Sequence, residues 1–125
     1  MMQQPSDEFA LLEFRLTSAK AIPPNHTFKA VGDHPALGCW NPINAVHMEH
    51  DADDPHTWRS TALVSVPAHV TIAYKYLLFH NDALVRWEHF EQNRILRGDD
   101  GNRSTAIDVF DQPPPPEADE PDNAE

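Results

Sequence analysis

The sequence predicts an all-β protein, an antiparallel sandwich of about seven or eight strands. Apolar side chains recur with a period of two along several segments, which is the alternation of a strand with one buried face. Clusters of Pro, Gly, Asn and Asp separate these segments at short intervals, and no segment carries a long helical pattern. A chain of 125 residues has room for one such domain with a single hydrophobic core.

The alternation assigns the strands. In the first strand the residues that share the buried face are Ala10, Leu12, Phe14 and Leu16. In a later strand they are Ala62, Val64 and Val66. The clearest alternation covers residues 71–79, where Lys75 lies on the face opposite Tyr74 and Tyr76. Shorter strands are expected at residues 28–31, 45–48, 84–87, 94–96 and 105–109.

The chain divides into a domain at residues 1–110 and an acidic, Pro-rich tail or linker at residues 111–125. The tail contains six acidic residues, five prolines and no basic residue. Proline cannot enter a helix or sheet interior, and acidic side chains bury too little apolar surface to offset the entropy of ordering. Disorder is therefore expected from about Asp111 onward.

Charge and hydropathy exclude several classes of partner. The formal net charge of −11 repels phosphate backbones and anionic lipids, so no nucleic acid or membrane partner is expected. No apolar run approaches the roughly 20 residues of a membrane span. The start of the chain lacks the basic and apolar regions of a secretory signal, and the single Cys39 cannot form an internal disulfide. The missing signal and the lone cysteine predict a cytoplasmic protein, and we expect a monomer without a cofactor.

The three tryptophans are the candidate functional side chains. Trp58 alternates in phase with Val64, which predicts a core position. Trp40 lies in a turn composition between Gly38 and Pro42, which predicts a surface position, and Trp87 lies late in a short strand. A flat indole can cover the C–H face of a sugar ring, although a loop tryptophan can also cap a core.

An ordered set of short motifs resembles the starch-binding domains of carbohydrate-binding module family 20. The motifs are residues 31–42 with Gly-x-x-x-x-Leu-Gly-x-Trp, then Trp58, Tyr74-Lys75-Tyr76, Trp87-Glu88 and Asn93-Arg94. Each piece is weak or moderately specific, but their order and spacing over residues 28–95 make the resemblance strong.

The resemblance implies an immunoglobulin-like sandwich that binds α-1,4-glucan without catalysing a reaction. By motif position, Trp40 and Trp87 would stack on adjacent glucose units, and Lys75 would donate to sugar hydroxyls. Glu88 and Asn93 would supply the remaining polar contacts. The implied ligands are starch, glycogen and malto-oligosaccharides, and the implied partner is a fused or associated glucan-active enzyme.

The sequence departs from the family pattern in two places. Four residues separate Glu88 from Asn93 where three are usual. Lys29 and Asp51 lie near the positions of two tyrosines that form a second glucan site in many members, so that second site is expected to be absent or rebuilt. A single site would give weaker avidity for a long polymer.

Other functions have weaker support in the sequence. A glycosidase needs two carboxylates across a cleft, and the acidic residues show no evident pairing. No nucleophile motif orders Ser, His and Asp into a triad. The His- and Asp-rich segment at residues 47–56 is interpreted as a solvated loop and not as a metal site. The alternative to glucan binding is a protein-interaction module of the same fold.

Overall fold

The computed structural model describes residues 9–98 and 103–113, and the rest of the predicted tail lies outside these ranges. The described residues form nine strands and two short 3-10 turns, Pro35–Leu37 and Pro42–Asn44. The strands are β1 (Phe9–Thr17), β2 (His26–Gly32), β3 (Val46–Asp51), β4 (Asp54–Ser60), β5 (Val64–Pro67), β6 (Thr71–His80), β7 (Ala83–Trp87), β8 (Arg94–Arg97) and β9 (Arg103–Val109).

Two long strands organise the two layers of the fold. In one layer β1 pairs with β4 and β5 along one edge and with β9 along the other. In the second layer β6 pairs with β2 along one edge and with β7 and β8 along the other. Strand β3 joins the layers, because its first residues pair with β2 and its later residues pair with β4.

The main core lies between β1 and β6. The four residues predicted for the buried face of β1 are fully buried, and Trp58 is 4% exposed, so both predictions are confirmed. The ring of Phe14 packs edge-on against Tyr74, with 5.0 Å between the ring centroids, and also contacts Tyr76. These aromatic contacts join the two central strands across the sandwich.

The all-β sandwich is confirmed, with two corrections to its predicted strands. The segment that contains Trp58 and Val66 forms two strands, β4 and β5, which raises the number in the described residues to nine. Both run along the same edge of β1, but four residues lie between Arg59 and Val64 while only two lie between their partners Arg15 and Leu12. Two extra residues therefore loop out, and Ala62 is exposed in this bend.

The second correction concerns strand direction. Strand β9 pairs with β1 in parallel, from Leu11 opposite Arg103 to Thr17 opposite Val109. The sheet pairings are otherwise antiparallel. Among the described residues no helix is long and apolar enough to cross a membrane.

A second, smaller apolar cluster lies on the outer face of the β6 layer. Its buried members are Val31, Ala45, Leu77 and Phe79. The predicted alternation along β6 is confirmed, because Tyr74 and Tyr76 face the main core while Leu77 and Phe79 face outward. The indoles of Trp40 and Trp87 pack over this outer cluster, so the fold brings these two side chains together.

Candidate functional site

Trp40 is presented by a tight turn that follows the first 3-10 turn. Gly38, Cys39 and Trp40 all have positive φ angles, of 87°, 51° and 64°. A side chain on Gly38 would bring its Cβ within 2.7 Å of the Asn44 carbonyl oxygen, so glycine is needed there for space as well as for conformation. Left-handed backbone at a bulky residue is unfavourable, and such strained residues cluster at functional sites.

Hydrogen bonds hold this strained turn against the sheet. The Trp40 N–H donates to the Gly32 carbonyl at 2.8 Å, and the Asn41 N–H donates to the Gly38 carbonyl at 2.9 Å. The Cys39 N–H donates to the His34 carbonyl at 3.2 Å. The backbone that carries the Trp40 indole is thereby fixed to the end of β2.

Trp87 is the last residue of β7, directly across from Leu77 of β6. The register between these strands shifts at Leu78 and Phe79, which marks a β-bulge next to the site. The Arg86 guanidinium donates to the Trp87 carbonyl at 3.1 Å and forms two hydrogen bonds with the Asp111 carboxylate, of 3.0 and 2.7 Å. These bonds fix the end of β7 and the backbone that carries the Trp87 indole.

The two indoles form one shallow surface. Their ring centroids are 6.3 Å apart and their planes are inclined by 36°. Both side chains are partly buried by the outer cluster and partly exposed. The arrangement therefore presents two adjacent, partly exposed aromatic faces at an angle.

Lys75 lies on the outer face of β6, as its alternation predicts, but its ammonium is already engaged. Nζ donates to the Phe90 carbonyl at 2.6 Å and to the Glu91 carbonyl at 3.3 Å. An ammonium has three donors, so one remains for another acceptor. Lys75 therefore anchors the loop that follows Trp87.

Glu88 does not lie on the surface, which differs from the sequence expectation. Its side chain is fully buried. One carboxylate oxygen accepts from the Tyr76 N–H and from Arg94 Nε, and the other accepts from Arg94 Nη2 at 2.6 Å and from the Asp111 N–H. In this conformation the carboxylate cannot reach a sugar at the platform, and it positions the chain on either side of Trp87 instead.

Arg94 is the centre of this buried network. Besides Glu88, its guanidinium donates to the Asp108 carboxylate at 3.2 Å and to the carbonyls of Val109 and Gln112. The hydroxyls of Tyr74 and Tyr76 both donate to the other Asp108 oxygen, at 2.7 and 2.8 Å. Burial, together with the Asp108 carboxylate, raises the pKa of both tyrosines, so both hydroxyls stay protonated as donors.

The contacts of the domain continue past its predicted end at residue 110. The Asp111 carboxylate accepts hydrogen bonds from Arg86 and from the His89 N–H, and the Gln112 carbonyl accepts from Arg94. Burial alone would raise the pKa of Asp111, but the hydrogen bonds from Arg86 and His89 outweigh it and hold the pKa below its usual value. The first residues of the predicted tail are therefore part of the domain.

The substitution Asp111→Asn should flatten the acid limb of the stability profile. Because the folded-state pKa of Asp111 is lowered, its stabilising effect is present above the unfolded pKa of about 3.9 and is lost as the pH falls through the folded value. Asparagine tolerates the positive φ of 68° at this position. Melting temperatures measured from pH 7 to pH 2 should show the variant below the wild type at pH 7 and the difference shrinking below about pH 4. Parallel curves would rule out this role for the carboxylate.

Asn93 is the remaining predicted site residue. It is exposed and directly precedes β8, whose Arg94 pairs with Tyr74 of β6. Among the described residues its side-chain amide has no hydrogen-bond partner, so both its donor and its acceptor are free for a ligand. The structure thus brings Trp40 and Trp87 together on one face, with Lys75 on the same face of β6, and separates Glu88 from them.

A cavity and the His- and Asp-rich segment lie outside this surface. A cavity of about 600 Å³ opens beside the main core and is lined by residues that include Pro24, His26, His50 and Trp58. Within residues 9–98 and 103–113 no three His, Cys, Asp or Glu side chains are placed to hold a metal ion. The cavity lies on the core side of β2, away from the two exposed indoles.

Sequence reasoning did not assign roles to Arg86, Arg94, Asp108 or Asp111. The only signal for Arg94 was its place after Asn93 in the family-like motif, and nothing local in the sequence marks the two aspartates. Their partners lie 14 to 34 residues away in the chain, so the pairing depends on the position of β9.

Comparison with known proteins places this geometry in a family. The family model described as Starch binding domain matches residues 11–107. A glucoamylase of Neurospora crassa is 28% identical over 85 residues, which cover 66% of this chain and 13% of that protein. Starch-binding domain-containing protein 1 of Rattus norvegicus is 31% identical over 67 residues, or 54% of this chain and 18% of that protein. The chain therefore matches only a small part of each of these relatives.

A solved structure shows the same fold at the scale of a single domain. The family 20 carbohydrate-binding module of a maltotetraose-forming amylase from Pseudomonas saccharophila superposes with a TM-score of 0.64 at 20% identity. The match covers 80% of this chain and 99% of that module. Since the family model spans most of the described residues, the chain belongs to the starch binding domain family, carbohydrate-binding module family 20, whose members bind starch and are not themselves catalytic.

Proposed function

We propose that this chain binds α-1,4-glucan, as starch, amylopectin or glycogen, on a platform formed by Trp40 and Trp87. The observation that carries the proposal is the pair of partly exposed indoles, 6.3 Å apart and inclined by 36°. Each indole offers a flat apolar face that matches the C–H face of a pyranose ring. Successive rings of an α-1,4-glucan turn relative to one another, whereas a β-1,4-glucan is flat. An inclined pair of indoles therefore suits the α-1,4-linked polymer better.

Polar groups at the edge of the platform supply hydrogen bonds to the sugar hydroxyls. Of the three polar residues that the sequence predicts for the site, Lys75 has one remaining donor and Asn93 has a free amide for this role. Glu88 acts indirectly, since its buried carboxylate fixes the backbone around Trp87. A shallow platform buries little of its ligand, so affinity per site is expected between about micromolar and millimolar.

The biological role that fits this site is targeting. The glucoamylase and the starch-binding domain-containing protein are both much longer than the matched segment, so in them the domain accompanies other sequence. We extend this to the present chain as delivery of itself, or of a fused or associated glucan-active enzyme, to polysaccharide. The exposed thiol of Cys39 suits a reducing compartment and supports a cytoplasmic location.

Binding to insoluble starch tests the proposal directly. The wild type should co-sediment with starch granules, and soluble maltoheptaose should release it while the β-linked cellohexaose should not. The Trp40→Ala variant should bind more than tenfold more weakly, because it removes one of the two stacking faces, a loss of at least about 1.4 kcal/mol.

Ile107→Ala is a matched control, since Ile107 is 74% exposed on β9 in the other layer. This variant should bind like the wild type. The contrary outcome is that starch fails to retain the wild type while a protein partner changes its tryptophan fluorescence. The domain would then be a protein-interaction module instead.

A further inference from the structure

We infer that the ammonium of Lys29 is an additional glucan contact, a hydroxyl donor that extends the site across the sheet from the tryptophan platform. The inference rests on the proposed function, because it assigns a ligand contact next to the same two indoles. Four observations carry it: the row in which Lys29 lies, the lack of an acceptor for its ammonium, the solvent access of that ammonium, and the contrast with Lys75.

Lys29 lies in the same cross-strand row as Trp87. On the outer face of the layer, Lys29 of β2 is directly opposite Leu77 of β6, and Leu77 is directly opposite Trp87 of β7. Directly paired residues project from the same side of a sheet, so these three side chains share the outer face. Two strand spacings, roughly 10 Å, separate the backbones of Lys29 and Trp87.

The Lys29 ammonium has no protein acceptor among the described residues. The stem of the side chain is largely buried, with the residue 9% exposed, and Nζ lies 4.3 Å from the centroid of the Phe79 ring. Phe79 belongs to the outer cluster on which the two indoles pack. The cation–π contact holds the ammonium in place, but the ring does not replace an oxygen acceptor. All three N–H groups therefore remain without a hydrogen-bond acceptor.

The ammonium also keeps some contact with solvent. In the part of the chain that the structure describes, Trp58 Nε1 is the only buried side-chain nitrogen or oxygen without a hydrogen-bond partner. Because Lys29 Nζ also lacks a partner, it must retain contact with solvent. A fixed stem that ends in three free donors at the edge of an aromatic platform is the arrangement that a polyhydroxylated ligand can use with little loss of side-chain entropy.

The ammonium of Lys75, unlike that of Lys29, is already hydrogen-bonded. Its stem lies on the same face, two residues before Leu77 along β6, but its ammonium donates to the carbonyls of Phe90 and Glu91. Leu77 thus has Lys75, Lys29 and Trp87 as outer-face neighbours, and Lys29 is the lysine with its donors unused. On the other side of Lys29, its partner in β3 is His47, whose side chain is exposed. The β3 side of Lys29 therefore remains open to a ligand.

Such a contact makes binding depend on ligand length. A short oligosaccharide that covers only the two indoles does not reach the far side of Leu77. A longer one that continues across the sheet from Trp87 towards Lys29 gains the charge-assisted hydrogen bond. The extra contact should therefore contribute to the binding of maltoheptaose and not to that of maltose.

Calorimetric titration of the full chain with maltose, maltotriose and maltoheptaose separates this role from a structural one. Lys29→Met keeps the apolar stem and removes the ammonium. The variant should lose about tenfold or more in affinity for maltoheptaose while its affinity for maltose stays that of the wild type, since charge-assisted hydrogen bonds are stronger than neutral ones. Lys20→Met, which removes an exposed lysine in the bend after β1, should leave both affinities unchanged.

The remaining outcomes overturn the inference in distinguishable ways. Equal losses for maltose and maltoheptaose would assign Lys29 a structural role through Phe79, and unchanged binding of both ligands would remove it from the site. Failure of the wild type to bind any of the three sugars would instead refute the proposed function itself, whatever the behaviour of the variant.

Discussion

Replacement of Arg94 by methionine is expected to destabilise the domain by about 3–5 kcal/mol, because it leaves two buried carboxylates without their cation. The Glu88 and Asp108 side chains are 0% and 15% exposed, and Arg94 is 3% exposed. The same substitution removes the bonds to the carbonyls of Val109 and Gln112, which attach the segment after β9 to the domain. Urea unfolding followed by fluorescence measures the loss directly.

Two further variants test whether the stability lost in Arg94→Met comes from the buried charges. Arg59→Met removes the same side chain from an exposed ion pair, with 3.9 Å between Arg59 Nε and the Glu49 carboxylate, and should cost less than about 1 kcal/mol. Adding Glu88→Gln to Arg94→Met neutralises one buried charge and should recover part of the stability. A loss at Arg94 no larger than that at Arg59 would show that the network does not stabilise the fold.

The sequence pattern predicts the faces of the strands well because alternation is a local property. The buried residues of β1, the inward tyrosines of β6 and the core position of Trp58 all follow from the period of two. The period of two does not predict the bend that divides β4 from β5 or the parallel pairing of β9 with β1. Both depend on which strands pair with β1. Register is a tertiary property, and local propensity carries little information about it.

The candidate site shows the same division between local and tertiary information. Turn composition places Trp40 at the surface, and strand parity places Lys75 on the outer face. Whether a polar side chain there is free for a ligand depends on distant partners. Glu88 is occupied by Arg94 and by backbone N–H groups, and Lys75 is occupied by two carbonyls, whereas Lys29 gains its position beside the platform only through the pairing of β2 with β6.

Replacement of Trp87 by alanine is expected to weaken glucan binding by more than tenfold while the domain remains folded. The indole is partly exposed and packs over the outer cluster, so its removal deletes a stacking face and not a part of the main core. An anchor of this kind typically contributes about 2 kcal/mol or more at an interface. The variant should retain a cooperative urea transition with an unchanged slope, which separates lost binding from lost structure.

The same variant also tests whether the two indoles act together. Trp40 and Trp87 are in contact, so the effects of Trp40→Ala and Trp87→Ala on binding should not add in the double variant. Additive losses would indicate that each indole binds a separate ligand segment.

Calorimetric titration with β-cyclodextrin, a closed ring of α-1,4-linked glucose, tests the central claim most directly. The wild type should bind saturably, and Trp87→Ala should show binding more than tenfold weaker under the same conditions. Wild-type binding that persists unchanged in Trp87→Ala would place the glucan elsewhere on the domain, and no heat with the wild type would contradict glucan binding itself.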